Sequence, residues 1–179
     1  MKKTLPVYLL FFTLLVVMSS CSDKILFTNE MRYKLHDNMV DIGKVQFYNS
    51  KKIVLKRNLT YDETKVAKGK IRFENGEFSE EIIIPKNTPG VAVKEGRNYL
   101  NIAFERGNDR YLKFLKNMDD HFQLSAKNWD YNGYGRITYD SLIYYIAPGG
   151  DKALLKVSKD NFTNSERRVR KVKGVKIAH

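Results

Sequence analysis

Downstream of Val45 the chain alternates apolar and polar residues with a period of two, the pattern of half-buried strands. The clearest stretch is GKIRFENGEFSEEIII, residues 69–84. Asn75-Gly76 at its centre is the dipeptide of a type I′ turn, in which both central residues need positive φ. With Glu74 and Glu77 flanking that turn, Phe73 falls opposite Phe78 and Ile71 opposite Glu80. The inward face is then expected to hold Ile71, Phe73, Phe78, Ile82 and Ile84, an aromatic pair continued by aliphatics. A second hairpin is expected in GVAVKEGRNYLNIAFE, where Leu100, Ile102 and Phe104 alternate and Gly96 supplies the turn.

Further short strands are expected at about Tyr111–Lys116, Asp120–Ala126, Gly135–Tyr139, Ser141–Ile146 and Ala153–Ser158, separated by loops rich in Gly, Asn and Asp. Before Val45 the period lengthens. TNEMRYKLHDNMVDIGKV places Met31, Leu35 and Met39 on one helical stripe over Thr28 to Lys44, with Thr28 or Asn29 as the cap and Glu30 in the first turn. A second short turn is expected at Asp41. The fold class that follows is mainly β, an antiparallel barrel or sandwich of short strands with one or two N-terminal helices.

The N-terminus has a different character. Met1-Lys2-Lys3 is followed by a mostly apolar run from Leu5 to Met18, then Ser19, Ser20 and the only cysteine of the chain, Cys21. Cationic start, apolar centre and small residues before a cut are the parts of a secretory signal. The run is too short for a transmembrane helix, which needs about 20 apolar residues. Met18-Ser19-Ser20-Cys21 resembles the lipobox of bacterial lipoproteins, with Met18 where Leu is usual. The resemblance covers the first two dozen residues. It implies a diacylglycerol on the Cys21 thiol, cleavage before Cys21 and acylation of the new amino group. Residues 1–20 are then a signal peptide, 21–27 a tether, and 28–179 a single β-rich domain with a helical preface and a basic C-terminal segment. Ser22 rather than Asp after the cysteine favours the outer membrane, facing the periplasm, with the cell surface as the other possibility. The other reading of Cys21 is an incidental free thiol behind a plain signal peptide. With no second cysteine in the chain, an internal disulfide is excluded.

Charge narrows the partners. The leader holds two of the 32 basic residues and none of the 20 acids, so the remainder carries 30 against 20, a formal +10. Outside the cell interior that excess points to phospholipid head groups, lipopolysaccharide phosphates or acidic glycans, or serves only solubility. The export signal argues against nucleic acid. The densest basic segment is SERRVRKVKGVKIAH, where Arg167, Arg168, Arg170, Lys171 and Lys173 alternate loosely with valines. It reads as an anionic-surface contact or as a charged edge strand that resists aggregation.

Candidate chemistry is sparse. His36, His121 and His179 lack metal-ligand spacing, so no metal and no cofactor is expected. No G-x-S-x-G, P-loop or dinucleotide fingerprint is present. The aromatic segment NWDYNGYGRITYDSLIYY offers Trp129, Tyr131, Tyr134 and Arg136 as a ligand-binding set suited to sugar faces or a protein partner. Its other reading packs Tyr139, Ile143 and Tyr145 inward and leaves NWDYNGYG as a stiffened loop. The leader, the size and the basic β-rich body together resemble small envelope lipoproteins of Bacteroidota. The expected function is a membrane-anchored, non-enzymatic binding or assembly module, partnered by an envelope protein complex or an anionic lipid or glycan. The alternative is a cell-wall-directed hydrolase or enzyme inhibitor.

Overall fold

A computed structural model describes residues 23–59, 70–74 and 76–160. The described residues form thirteen strands: β1 (Lys24–Leu26), β2 (Gln46–Asn49), β3 (Ile53–Leu59), β4 (Lys70–Glu74), β5 (Glu77–Ile84), β6 (Pro89–Gly96), β7 (Tyr99–Ala103), β8 (Tyr111–Lys116), β9 (Phe122–Leu124), β10 (Asn128–Trp129), β11 (Gly135–Tyr139), β12 (Leu142–Ile146) and β13 (Leu155–Ser158). They build two open antiparallel sheets, ordered β1-β13-β2-β6-β7-β8-β9 and β10-β11-β12-β3-β5-β4. The architecture is a sandwich, because one apolar cluster draws Phe47, Leu100, Ile102 and Phe114 from the first sheet and Ile53, Leu55, Ile84 and Ile146 from the second. The seven-stranded sheet curls until β9 reaches the residues flanking β1 and β13, at the isolated bridges Thr28↔His121 and Gln123↔Leu154. At its centre Phe27 meets Phe47 edge-on at 5.0 Å and Phe122 at 5.5 Å between ring centroids.

The stretch read as a tether is partly strand. Lys24–Leu26 pair with β13, and Phe27 is fully buried, so the body begins three residues after Cys21. The apolar character of Ile25 and Phe27 explains the difference, since Phe27 enters the core and Ile25 packs against it.

The helix α1 spans Asn29–Asp37, and Thr28 caps it by accepting from the Met31 N–H at 3.2 Å. It stops short of the expected stripe. Val40 N–H reaches Leu35 C=O and Met39 N–H reaches His36 C=O, both at 2.9 Å, a Schellman ending with Met39 in the left-handed region at φ 54°. Leu35 is therefore buried while Met39 is almost fully exposed. A side chain in that region costs roughly 1 kcal/mol relative to glycine. The second turn appears as expected, a 3-10 turn over Ile42–Lys44 capped by Asp41.

Strand ends follow local turn chemistry. Asp120 has positive φ, which delays β9 to Phe122, and Asp140 and Ser141 both have positive φ, which makes the β11–β12 connection a tight turn. In the β6–β7 hairpin the turn residues are Arg97 and Asn98, and Gly96 is the last strand residue instead. Glycine is required there because a Cβ would lie 2.2 Å from the Tyr99 ring that covers it.

One buried polar side chain fixes how the sheets meet. Asn49, at the end of β2, is completely buried. Its amide donates to Lys51 C=O at 2.6 Å and Pro85 C=O at 2.8 Å, and its oxygen accepts from Thr88 N–H at 2.8 Å. It thus joins the β2–β3 corner to the β5–β6 connection, two of the four places where the chain passes between sheets. Asn49→Ala removes three hydrogen bonds to the backbone, and although Thr88 still bonds Pro85 C=O through its N–H and its hydroxyl, the loss is expected to cost about 1–3 kcal/mol. Urea unfolding of the variant checks this, and a loss below about 0.5 kcal/mol, no more than an ordinary surface change, would contradict the role.

Candidate functional site at the rim of the six-stranded sheet

The inward face of the six-stranded sheet can be followed row by row from register and alternation. Ile53 lies opposite Ile84, and Leu55 opposite Ile82 on one side and Ile146 on the other. These rows belong to the core. The next row breaks the pattern, with Arg57 opposite Glu80, Ile71 beyond Glu80, and Tyr144 on the same face of β12. The last row is apolar again, with Leu59, Phe78 and Phe73 in register and Leu142 on the same face of β12.

The polar row is buried. Arg57 Nε lies 3.0 Å from Glu80 Oε2, with the two side chains only 12% and 6% exposed. The Tyr144 hydroxyl donates to the same carboxylate oxygen at 2.9 Å, and the guanidinium sits 5.7 Å from the Tyr144 ring centroid. Tyr139 packs edge-on against Tyr144 at 6.1 Å, and its hydroxyl donates to Glu105 Oε1 at 2.8 Å. Arg110 extends the chain of contacts, donating to Asp140 Oδ2 at 2.7 Å and lying 3.7 Å from Glu105. Burial, then the hydrogen bond to Glu80, pushes the Tyr144 phenol up to about 12. Burial, then the bond to Glu105, raises Tyr139 well above the ordinary phenol value.

At the ends of these last two rows apolar side chains are exposed, while Leu59 between them is buried and Phe78 half-buried. Phe73 is 65% exposed, Leu142 41% and Ile71 38%. Phe73 touches Phe78 at 4.8 Å between centroids, and no other ring among the described residues is paired with it. The expected inward face is correct in parity and wrong in burial for Ile71 and Phe73, because the β4–β5 hairpin overhangs the opposite sheet. Each large apolar side chain left in water forgoes about 1.5–3 kcal/mol of transfer free energy. Ile71 and Phe73, neighbours on one face of β4, form an exposed apolar pair at the sheet edge, and such a pair suits a contact surface.

The residues proposed from sequence do not converge. Trp129 and Arg136 occupy opposite faces of the β10–β11 ladder, since Trp129 is opposite Gly135 and Arg136 opposite Asn128. The Trp129 ring packs against Gly135, where a Cβ would lie 2.5 Å from a ring carbon, and borders a notch of about 260 Å³. Tyr131 stands almost fully exposed at the loop tip, and Tyr134 is half-buried. Asp130 stiffens this loop, its Oδ1 accepting from Asn132 N–H at 2.9 Å and Tyr134 N–H at 2.8 Å. The loop is stiffened as that reading has it, but of its inward set only Tyr139 is buried. Tyr139 and Tyr144 are buried, whereas Ile143 and Tyr145 are exposed. Cys21, Arg167, Arg168, Arg170, Lys171, Lys173 and His179 lie outside the described residues. His36 borders an open groove of about 680 Å³ beside α1 with Tyr33, Met39 and Glu95. Among the described residues no group of three His, Cys, Asp or Glu side chains could hold a metal ion, and no helix is long and apolar enough to cross a membrane.

Arg57, Glu80 and Tyr144 were not singled out by sequence. A cue existed, since the Asn-Gly register already set Glu80 opposite Ile71 on an otherwise apolar face. Comparison with protein-family models, curated proteins and solved structures finds no match.

The two tyrosines set an alkaline limit. The fold keeps their phenols protonated, while the unfolded chain ionises them near pH 10. Their contribution is full below about pH 10 and is lost as pH rises through about 12. Ultraviolet titration is expected to show two of the eleven tyrosines, Tyr139 and Tyr144, ionising only with unfolding. All eleven ionising in one early step, with the far-ultraviolet spectrum intact, would contradict the burial.

Proposed function

We propose that this chain is a membrane-anchored lipoprotein acting as a non-enzymatic binding or assembly module of the bacterial envelope. The observation that carries the binding part is the exposed apolar row of Ile71 and Phe73 along β4, beside the buried Arg57–Glu80 pair. A rigid sheet presents it, and its apolar area suits a protein partner better than a hydrated glycan.

The anchor is carried by Met18-Ser19-Ser20-Cys21. Only Ser22 and Asp23 separate Cys21 from β1, a chain reach of roughly 11 Å from Cys21 to Lys24. A lipid on Cys21 therefore holds the folded body against the head groups, with little freedom to lift away. The excess of Lys and Arg over Asp and Glu favours an anionic leaflet. Placement in the outer membrane, facing the periplasm, belongs to the same proposal.

The test is detergent-phase partition with intact mass on the native chain and a Cys21→Ala variant. The native chain is expected in the detergent phase with acyl mass on Cys21, and the variant in the aqueous phase without it. Finding both aqueous and unacylated would overturn the anchor.

A further inference from the structure

The row that the proposed function uses lies on β4, the edge of the six-stranded sheet. β4 pairs with β5 through five consecutive residues without a bulge and contains neither proline nor glycine. Of the usual devices against strand addition this edge has only charge, in Lys70, Arg72 and Glu74, and those charges alternate in sign so that a reversed copy can match them in part.

Backbone geometry shows which groups are free. Glu74 and Glu77 close a two-residue hairpin, and the closing pair of such a hairpin exchanges both backbone bonds. Hydrogen-bonded and non-hydrogen-bonded pairs alternate from there. Positions 74, 72 and 70 therefore bond to β5, while the N–H and C=O of Ile71 and Phe73 point to the open side. No other described strand occupies that side. The two residues with free backbone groups are also the two with exposed apolar side chains.

We infer that β4 pairs antiparallel with β4 of a second copy about a twofold axis at Arg72. The sequence Lys70-Ile71-Arg72-Phe73-Glu74 is complementary to itself when reversed. Ile71 falls opposite Phe73 of the second copy, and those two pairs exchange four backbone hydrogen bonds. Lys70 falls opposite Glu74 of the second copy, on both sides of the axis. Arg72 meets its counterpart as the one like-charged pair, with Glu74 of the second copy diagonal to it. Shifting the register by two residues either way keeps the apolar residues on one face but leaves a single hydrogen-bonded pair among Ile71 and Phe73. The full register joins the two sheets into one and covers Phe73 with Ile71 of the second copy. The contact is isologous and closes at two copies.

This names the partner of the row and rests on its reading as a contact surface, but not on the anchor. The central Arg72 pair is of the non-hydrogen-bonded kind, with Cα atoms about 4.5 Å apart, within disulfide reach. The test uses the full chain in mild detergent with Cys21→Ala, so that Arg72→Cys introduces the only thiol. A doubled mass by sedimentation and a covalent dimer on mild oxidation are expected for Arg72→Cys, and no covalent dimer for Thr138→Cys on β11. Adding Phe73→Pro removes an outward N–H and no bond to β5, so a monomer with an unchanged far-ultraviolet spectrum is expected. Ile71→Glu is the second such variant should the proline disturb folding. A monomeric Cys21→Ala chain overturns self-pairing and leaves the row to another protein. A dimer linked through Thr138→Cys and not through Arg72→Cys overturns the row as the contact.

Discussion

The buried ion pair between Arg57 and Glu80 decides where the core of this protein stops. Each ion loses several kcal/mol of hydration on burial, and only close geometry with further hydrogen bonds repays it. The 3.0 Å contact and the Tyr144 hydroxyl on the same carboxylate oxygen supply that geometry. Removing one partner of such a pair typically costs about 3–5 kcal/mol, because the other charge stays buried. The pair therefore fixes the register of β3 on β5 and draws Tyr144 inward. It also places a polar band between the packed interior and the apolar row of Leu59, Phe78 and Phe73.

That division links packing to function. An apolar row continuous with the core would count as its ragged end. Here the row lies beyond a charged band, on a hairpin that overhangs the opposite sheet, and its exposure comes from the topology. Asn49 holds the two sheets together at two of the four points where the chain crosses between them, and Arg110 links Glu105 to Asp140 across the rim. The surface is thus offered by a braced scaffold. If Cys21 carries lipid, that scaffold stands within a few residues of the bilayer, which confines copies to two dimensions and raises their effective concentration.

Much of the fold was legible in the sequence because turn chemistry is local. Asn75-Gly76 set the β4–β5 register correctly down to Phe73 opposite Phe78. Thr28 was legible as a cap because its hydroxyl needs only the Met31 N–H three residues on. Burial was less legible, since it depends on what the other sheet covers. Phe73 and Met39 are large and apolar, yet one overhangs and the other follows a left-handed helix ending. The Tyr144–Tyr145 parity failed for a related reason. Asp140 and Ser141 form the turn, so Tyr144 inherits the inward position, and the carboxylate it needs lies 64 residues away at Glu80. Trp129 and Arg136 looked like one site because they are close in sequence, and a strand pair sends them to opposite faces.

The most direct measurement is amide hydrogen exchange at single-residue resolution on the native chain, comparing Ile71 and Phe73 with Arg72 and Glu74. In an isolated hairpin the inner amides of Arg72 and Glu74 bond to β5, whereas those of Ile71 and Phe73 face water. If the exposed row is a sheet edge that pairs with a second copy, Ile71 and Phe73 exchange slowly, and their protection falls on dilution while that of Arg72 and Glu74 does not. If Ile71 and Phe73 exchange at the free-peptide rate at every concentration while their neighbours stay protected, the edge is unpaired and the account of this surface is wrong.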